Sequence, residues 1–384
     1  MVNVLVAHTF ELDDAESAVS EILEQLDIEN ALRKNSVGLV ACHAEFLYSG
    51  IIAALSEKLP FDLIGITTLA SAINGAMGVD ILTLSVLTSD DVVFSTALTS
   101  SLAEDQLGPL RAAYTEAADR LPENPSFGIV YGPQMEAIGG DVFVMELNRL
   151  SGGASLFGTL TCDHTIDFSE AHVFRNGEYA RDVLALMLAS GPVRPEFLFT
   201  AISEEKIPKQ KGVITSSEGN VVHTINDMPA LEYFAAIGLT ESHFKVNGAI
   251  PMTVDYLDGG PPVGRGVYMT KANGDVILGG EAPEKGIIAP AFLDVDEVMD
   301  SASLILEKIK KAGAGKGMLV ISCLSRSLVL GAEPLREAEL VSEMLGHSQP
   351  FQLLYSAGEI CPICTEEGKR TNRFHNFTLT VCLF

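Results

Sequence analysis

Three stretches of the chain repeat one pattern: an apolar run ending on small or polar residues, a stretch of helical periodicity, then a second apolar run ending on Gly, Ser or Thr. The first stretch joins Val37–Cys42 to Phe61–Thr68, the second Phe127–Tyr131 to Ala154–Asp163, and the third Met318–Cys323 to Phe351–Glu359. Continuous apolar strands joined by a helical crossover suit a parallel pair buried on both faces, so each stretch reads as a βαβ unit. Alternating segments follow. Residues 80–95 alternate around Ser89-Asp90-Asp91, residues 171–183 turn at Asn176-Gly177, and residues 374–384 read as a terminal strand. A further hairpin is expected at Asn273-Gly274.

The pattern predicts an α/β protein of two related modules, whose mixed sheets are built from repeated βαβ-plus-hairpin units at residues 37–95, 127–183 and 318–384. Val19, Ile22, Leu23 and Leu26 share one face of a helix starting near Asp13 and Asp14, and residues 298–309 show the same periodicity. Prolines and charges interrupt periodicity between Gly191 and Gly212, which puts the boundary near residue 200 and the modules at 1–200 and 201–384.

Composition narrows the partners. A chain of 384 residues is long enough for two cores, and 47 % hydrophobic with 20 % charged residues is a globular balance. No run approaches the ~18 apolar residues of a membrane span, and the first residues read as a buried strand rather than an export signal. A net charge of −26 repels phosphate backbones and anionic lipid surfaces, so neither nucleic acid nor membrane is expected as a partner. Six cysteines in this length suit a reducing, cytoplasmic setting.

Ligands of open α/β sheets gather at the carboxyl ends of parallel strands. Here those ends carry Cys42, His43, Thr67, Thr68, Cys162, Asp163, His164, Cys323, Arg326, Ser356, Gly358 and Glu359. Small residues also end strands merely because turns need them; their recurrence at equivalent places argues for a shared pocket. The chain has no phosphate-binding Gly-rich loop with Lys, no nucleophile elbow, no His-Glu-x-x-His and no dinucleotide fingerprint. A thiol nucleophile at Cys323, with His375 as base and Glu359 to orient it, is the enzymatic alternative. Cys361-Pro-Ile-Cys364 could be a redox couple or, with His375, part of a metal site. Its setting in a loop after Gly358-Glu359, without a second such pair, favours ordinary thiols and no metal.

Three elements in order, Ser322-Cys323-x-x-Arg326, Tyr355-Ser-Ala-Gly-Glu359-Ile-Cys361-Pro362 and Asn372-x-x-His375-Asn376-x-Thr378, resemble the end of FIST C domains. Gly219-Asn220, Pro229-Ala-Leu-Glu232 and Asn273-Gly-Asp275 fit the earlier part of that domain. Ile64-Gly-Ile-Thr67-Thr68, Gly153-Ala-Ser-Leu-Phe-Gly158 and Val173-Phe-Arg-Asn-Gly177 resemble the FIST N domain, although Leu69-Ala70-Ser71 stands where Gly-Glu is expected.

The resemblance implies a sensory protein without catalysis, binding an amino acid or related metabolite. It would signal through a separate histidine kinase, chemotaxis receptor or cyclic-dinucleotide enzyme. It also raises non-covalent haem sensing of nitric oxide, since no Cys-x-x-Cys-His attachment motif is present. The ligand site is expected around Cys323, Arg326, Glu359, Asn372, His375 and Asn376, with Thr67 and Thr68 in the first module. In that site Arg326 would hold a carboxylate and Glu359 an ammonium group. A plain salt bridge between Arg326 and Glu359 is the bland alternative.

Overall fold

The computed structural model describes residues 2–135, 139–165, 167–200, 202–244, 250–312, 317–345 and 349–384. Its main frame is one arrangement used three times. The first repeat comprises β1 (Asn3–Thr9), α1 (Ala15–Leu26), α2 (Ile28–Ala31), β2 (Asn35–Cys42), α3 (Glu45–Tyr48), α4 (Ile51–Lys58), β3 (Leu63–Thr67), β4 (Ser71–Ile73), β5 (Ala76–Gly78) and β6 (Leu82–Ser89). The second comprises β7 (Val93–Leu98), α5 (Leu107–Asp119), β8 (Phe127–Gly132), α6 (Gly140–Ser151), β9 (Ser155–Leu160), β10 (Val173–Arg175), β11 (Glu178–Ala180) and β12 (Ala185–Ser190).

The third repeat opens with β13 (Glu196–Phe199) and is then interrupted by an inserted sheet. That insertion holds β14 (Gly212–Glu218), β15 (Val221–Ile225), β16 (Met228–Pro229), α7 (Ala230–Ala236), β17 (Pro251–Asp255), β18 (Val263–Thr270), β19 (Val276–Leu278) and β20 (Ile287–Pro290). The repeat resumes with α8 (Val295–Ala312), β21 (Met318–Cys323), α9 (Leu324–Leu330), α10 (Arg336–Leu345), β22 (Phe351–Ser356), β23 (Glu359–Cys364), β24 (Arg370–His375) and β25 (Leu379–Leu383).

Within each repeat the first strand pairs with the last, the last with the first member of a parallel pair, and that pair is β2 with β3, β8 with β9, or β21 with β22. The hairpin that follows the pair leaves home. β4 and β5 extend β22 of the third repeat, β10 and β11 extend β3 of the first, and β23 and β24 extend β9 of the second. The three mixed sheets are therefore joined by a cyclic exchange of hairpins.

Alternation explains why the strands read as unbroken apolar runs, since successive side chains face opposite sides and both sides are covered. Leu39 and Ala41 of β2, Ile129 and Tyr131 of β8, and Leu319 and Ile321 of β21 enter one shared core among the sheets. Their neighbours Val40, Val130 and Val320 face outward, each under its own helices. Helix α1 shows the local logic: Asp14 accepts from the backbone of Glu16 and Ser17, and Ala18, Val19, Ile22 and Leu26 are buried. The inserted sheet has a separate core that includes Ile214, Val222, Val254 and Leu278, with Phe234 of α7. Among the described residues, no helix is long and apolar enough to cross a membrane.

Several expectations change. Segment 80–95 is not a hairpin: β6 pairs with β1 and β2, whereas β7 pairs with β12 in another sheet. The Ser89 hydroxyl accepts from the backbone of Asp91 and Val92 and turns the chain across. The hairpin that matches the other two turns at Asn74-Gly75, with Gly75 at φ 83, in the left-handed region that suits glycine. Segment 374–384 is not one strand, because the chain breaks at Asn376–Thr378, with Phe377 at φ 62. Cys361 to Cys364 belong to β23 rather than to a loop, and Glu359 opens that strand. The expected boundary near residue 200 follows β13, and strands from both sides of it share sheets.

Candidate ligand-binding site

The turn between β24 and β25 brings the expected segments together. The Cys323 backbone donates to Thr378 O, closing the end of β21 against that turn. Glu359 is fully buried there: Ser356 Oγ donates to Oε1 at 2.7 Å and Thr378 Oγ1 to Oε2 at 2.7 Å, and the Cys323 thiol is also hydrogen-bonded to it. Burial outweighs these bonds and pushes the Glu359 carboxyl up to about 7. Burial and the Glu359 charge raise the Cys323 thiol well above its ordinary value. His375 stands opposite Glu359 across the β23–β24 pair, yet its Nε2 faces Cys361 O at 3.3 Å and its ring lies 5.3 Å from that of Phe199; burial lowers it to about 3. Among the described residues, Cys323 thus has no imidazole contact of the kind a thiol nucleophile uses.

Arg326 does not face Glu359. Helix α9 starts directly after β21 and turns residue 326 toward α8 and α10, where Nε donates to Glu337 Oε1 at 3.0 Å and Nη2 to Val298 O at 2.8 Å. The resulting ion pair with Glu337 is buried on both sides. Asn372 is likewise committed: its amide donates to Asn148 Oδ1 at 2.6 Å and Ala154 O at 2.8 Å, and its oxygen accepts from the Leu156 backbone. Thr67 and Thr68 lie where β3, β9 and β22 end together. Thr67 Oγ1 is 3.1 Å from Thr161 Oγ1, and Thr68 Oγ1 donates to Tyr355 O at 2.8 Å. Both threonines are buried.

The structure does bring His375, Asn376 and Thr378 to a cavity of about 430 Å³. Phe199 and Thr200 at the end of β13 form one wall, and Thr253 with Pro261, Pro262, Val263 and Gly264 of the inserted sheet form the opposite one. The connection that leads into the insertion adds Ile202, Ile207, Pro208, Lys209 and Lys211. Gly264 bridges Asn376, and a Cβ at that glycine would stand 2.4 Å from Asn376 O, so glycine lets the inserted sheet approach the turn. The sheet is anchored beside the cavity by Arg265, whose guanidinium donates to Asp141 Oδ1 at 3.0 Å, Tyr256 Oη at 2.7 Å and Phe374 O at 3.1 Å.

Sequence reasoning missed Thr200, Thr253, Lys209 and Lys211, having treated the proline- and charge-rich run only as a boundary. The available signal was Lys209-x-Lys211 in a chain so acidic, placed just before a new apolar segment.

Metal chemistry finds little support in the donor set. Cys361 is buried and Cys364 exposed, three residues apart on one strand and therefore on opposite faces. Among the described residues, no group of three or more His, Cys, Asp or Glu could hold a metal ion. The described lining of this cavity does not fit haem either. His375 is the sole imidazole or sulfur donor among the described lining residues, and its Nε2 is directed at the Cys361 carbonyl.

These features define an α/β protein of three interlocked repeats, with a cavity of metabolite size where the third repeat is interrupted. The FIST N domain matches residues 36–228 and the FIST C domain residues 230–362, so the chain belongs to the FIST family, whose domains are associated with sensing small ligands in signal transduction. No curated protein sequence matches the chain. Among solved structures, the crystal structure of a cyanuic acid hydrolase from A. caulinodans aligns over 100 % of this chain and 99 % of its own, at 12 % identity and a TM-score of 0.38. A likeness at that level bears on neither fold nor function.

Proposed function

We propose that the protein is a small-molecule sensor without catalytic turnover, and that its ligand occupies the cavity between β13, the inserted sheet and the β24–β25 turn. The observation that carries this reading is the composition of that cavity, whose walls come from both family modules and from the turn beyond them. A ligand touching Thr200 and Thr253 together would favour one placement of the inserted sheet on the repeat frame, and such differential binding is what a signal requires. The altered surface would be read by a separate cytoplasmic partner, such as a histidine kinase, a chemotaxis receptor or a cyclic-dinucleotide enzyme.

The test is a metabolite library read by melting shift and by mass spectrometry. A true ligand should stabilise saturably, as RT ln(1 + [L]/Kd), and be recovered unchanged. Ile207→Trp, which fills the cavity, should remove the shift. Consumption of the compound, or a shift that survives Ile207→Trp, would defeat the proposal.

A further inference from the structure

The charges around the cavity differ from those of the chain as a whole. With 51 acidic against 25 basic residues the protein is strongly anionic, yet the described lining residues include Lys209 and Lys211 and no Asp or Glu. Lys206, three residues earlier, is bound to Asp294 at 2.7 Å, whereas neither Lys209 nor Lys211 has an ionic partner among the described residues. The remaining polar lining is neutral: the hydroxyls of Thr200, Thr253 and Thr378, the Asn376 amide, and an imidazole that burial keeps uncharged near neutral pH. Glu359 stands behind the lining residue Thr378 with both oxygens engaged. Phe199, Pro261 and Pro262 supply apolar surface.

We propose that the cavity binds an organic monoanion, a carboxylate on an apolar body of about one ring, in preference to the zwitterionic amino acid of the same shape. The inference rests on the cavity being the ligand site and names the class of ligand it takes. A carboxylate directed to the mouth meets two ammonium groups, while the apolar body meets the rings inside. An amino acid would carry its ammonium to a wall without a carboxylate, where removing that charge from water is costly. The threonine hydroxyls and the Asn376 amide then orient the body through neutral bonds and do not discriminate by charge.

A matched series isolates charge from shape: 3-phenylpropanoate, L-phenylalanine and 2-phenylethylamine, titrated calorimetrically into the full chain at one pH and ionic strength. The anion should bind at least about tenfold more tightly than the zwitterion, a difference of ~1.4 kcal/mol, and the amine should not compete. Lys209→Ala with Lys211→Ala should weaken the anion by about tenfold or more while leaving the melting temperature of the empty protein unchanged. Lys209→Arg with Lys211→Arg should retain binding. Equal or tighter binding of the zwitterion, indifference of the anion to the double Ala variant, or no binding by any of the three overturns the inference. Failure here is distinguishable from failure of the sensory reading. A library hit that is zwitterionic or cationic and is lost in Ile207→Trp keeps the cavity as ligand site and rejects only the anion preference.

Discussion

Replacing Arg326 by Met isolates what the buried pair with Glu337 contributes. The guanidinium donates to Glu337, to Val298 O and to Ser301 Oγ, so it joins α9 to both α8 and α10. Met has similar length and no charge, and it leaves the Glu337 carboxylate buried with Ser322 Oγ as its remaining partner. Removing one member of such a pair costs about 3–5 kcal/mol, mostly through the charge left behind. For a chain of this length an unfolding entropy of ~0.8 kcal/mol/K converts that loss to about 4–6 °C in melting temperature, if the chain unfolds as one unit. Arg326→Met with Glu337→Leu should recover most of the loss, because both charges leave together. The assay is thermal and urea unfolding of the wild type, both single variants and the double variant. If Arg326→Met melts within about 1 °C of the wild type and loses ligand affinity instead, Arg326 faces a ligand and the assignment to Glu337 is wrong.

Glu359 should leave its mark on the pH dependence of stability. Its folded pKa, raised from 4.5 to about 7, means that the native state holds the proton more tightly than the unfolded chain. Stability associated with this group is therefore full below about pH 4.5 and is lost as pH rises to about 7, by ~3 kcal/mol at 1.36 kcal/mol per unit. Glu359→Gln should flatten that fall, and urea midpoints of the two proteins that run parallel from pH 5 to 8 would contradict the assignment. For the cysteines, a native thiol titration should find one fast-reacting group, Cys364, with the other five reacting only on unfolding; a second fast thiol would show that one of those five is not buried.

The parallel pairs were legible because both of their faces are buried, so each strand is an apolar run that a short window can detect. A second signal of the repeat lay unread in the sequence. Thr9, Thr99 and Thr200 each close the first strand of a repeat, and each meets a leucine at the start of the last strand: Leu82, Leu184 and Leu379. Hairpin exchange was not legible, since alternation between residues 80 and 95 states that two strands exist and not which sheet receives each. The grouping of Arg326 with Glu359 was misread for a similar reason. Cys323, Arg326 and Glu359 were grouped by lying at strand ends, but one turn of α9 sends Arg326 to Glu337, and the choice depends on helices whose mutual placement no local pattern encodes. His375 and Asn376 were singled out by the family resemblance, and the structure puts them at a break in pairing where alternation alone suggests one continuous strand.

The cavity follows from the place where the threefold pattern is broken. In the first repeat the chain passes from β1 to α1 through residues 10–14, and the helix stands directly over the strand end, with Thr9 Oγ1 donating to Glu21. In the second repeat residues 99–106 make the same passage. In the third, residues 200–294 intervene, so the roof over Thr200 comes from the inserted sheet and its connection. A roof supplied by a separate core can shift on its frame more readily than one tethered by a short loop, because its long connections leave its placement to packing contacts. Arg265 opposes that freedom: its bonds to Asp141 and to Phe374 O hold the inserted sheet to α6 and β24, next to the segment that lines the cavity. A ligand held by Thr200 and Thr253, as proposed, would therefore act on the same degree of freedom as the Arg265 junction, the position of the inserted sheet. The repeats form the frame against which it would move, since each hairpin is paired into its neighbour's sheet.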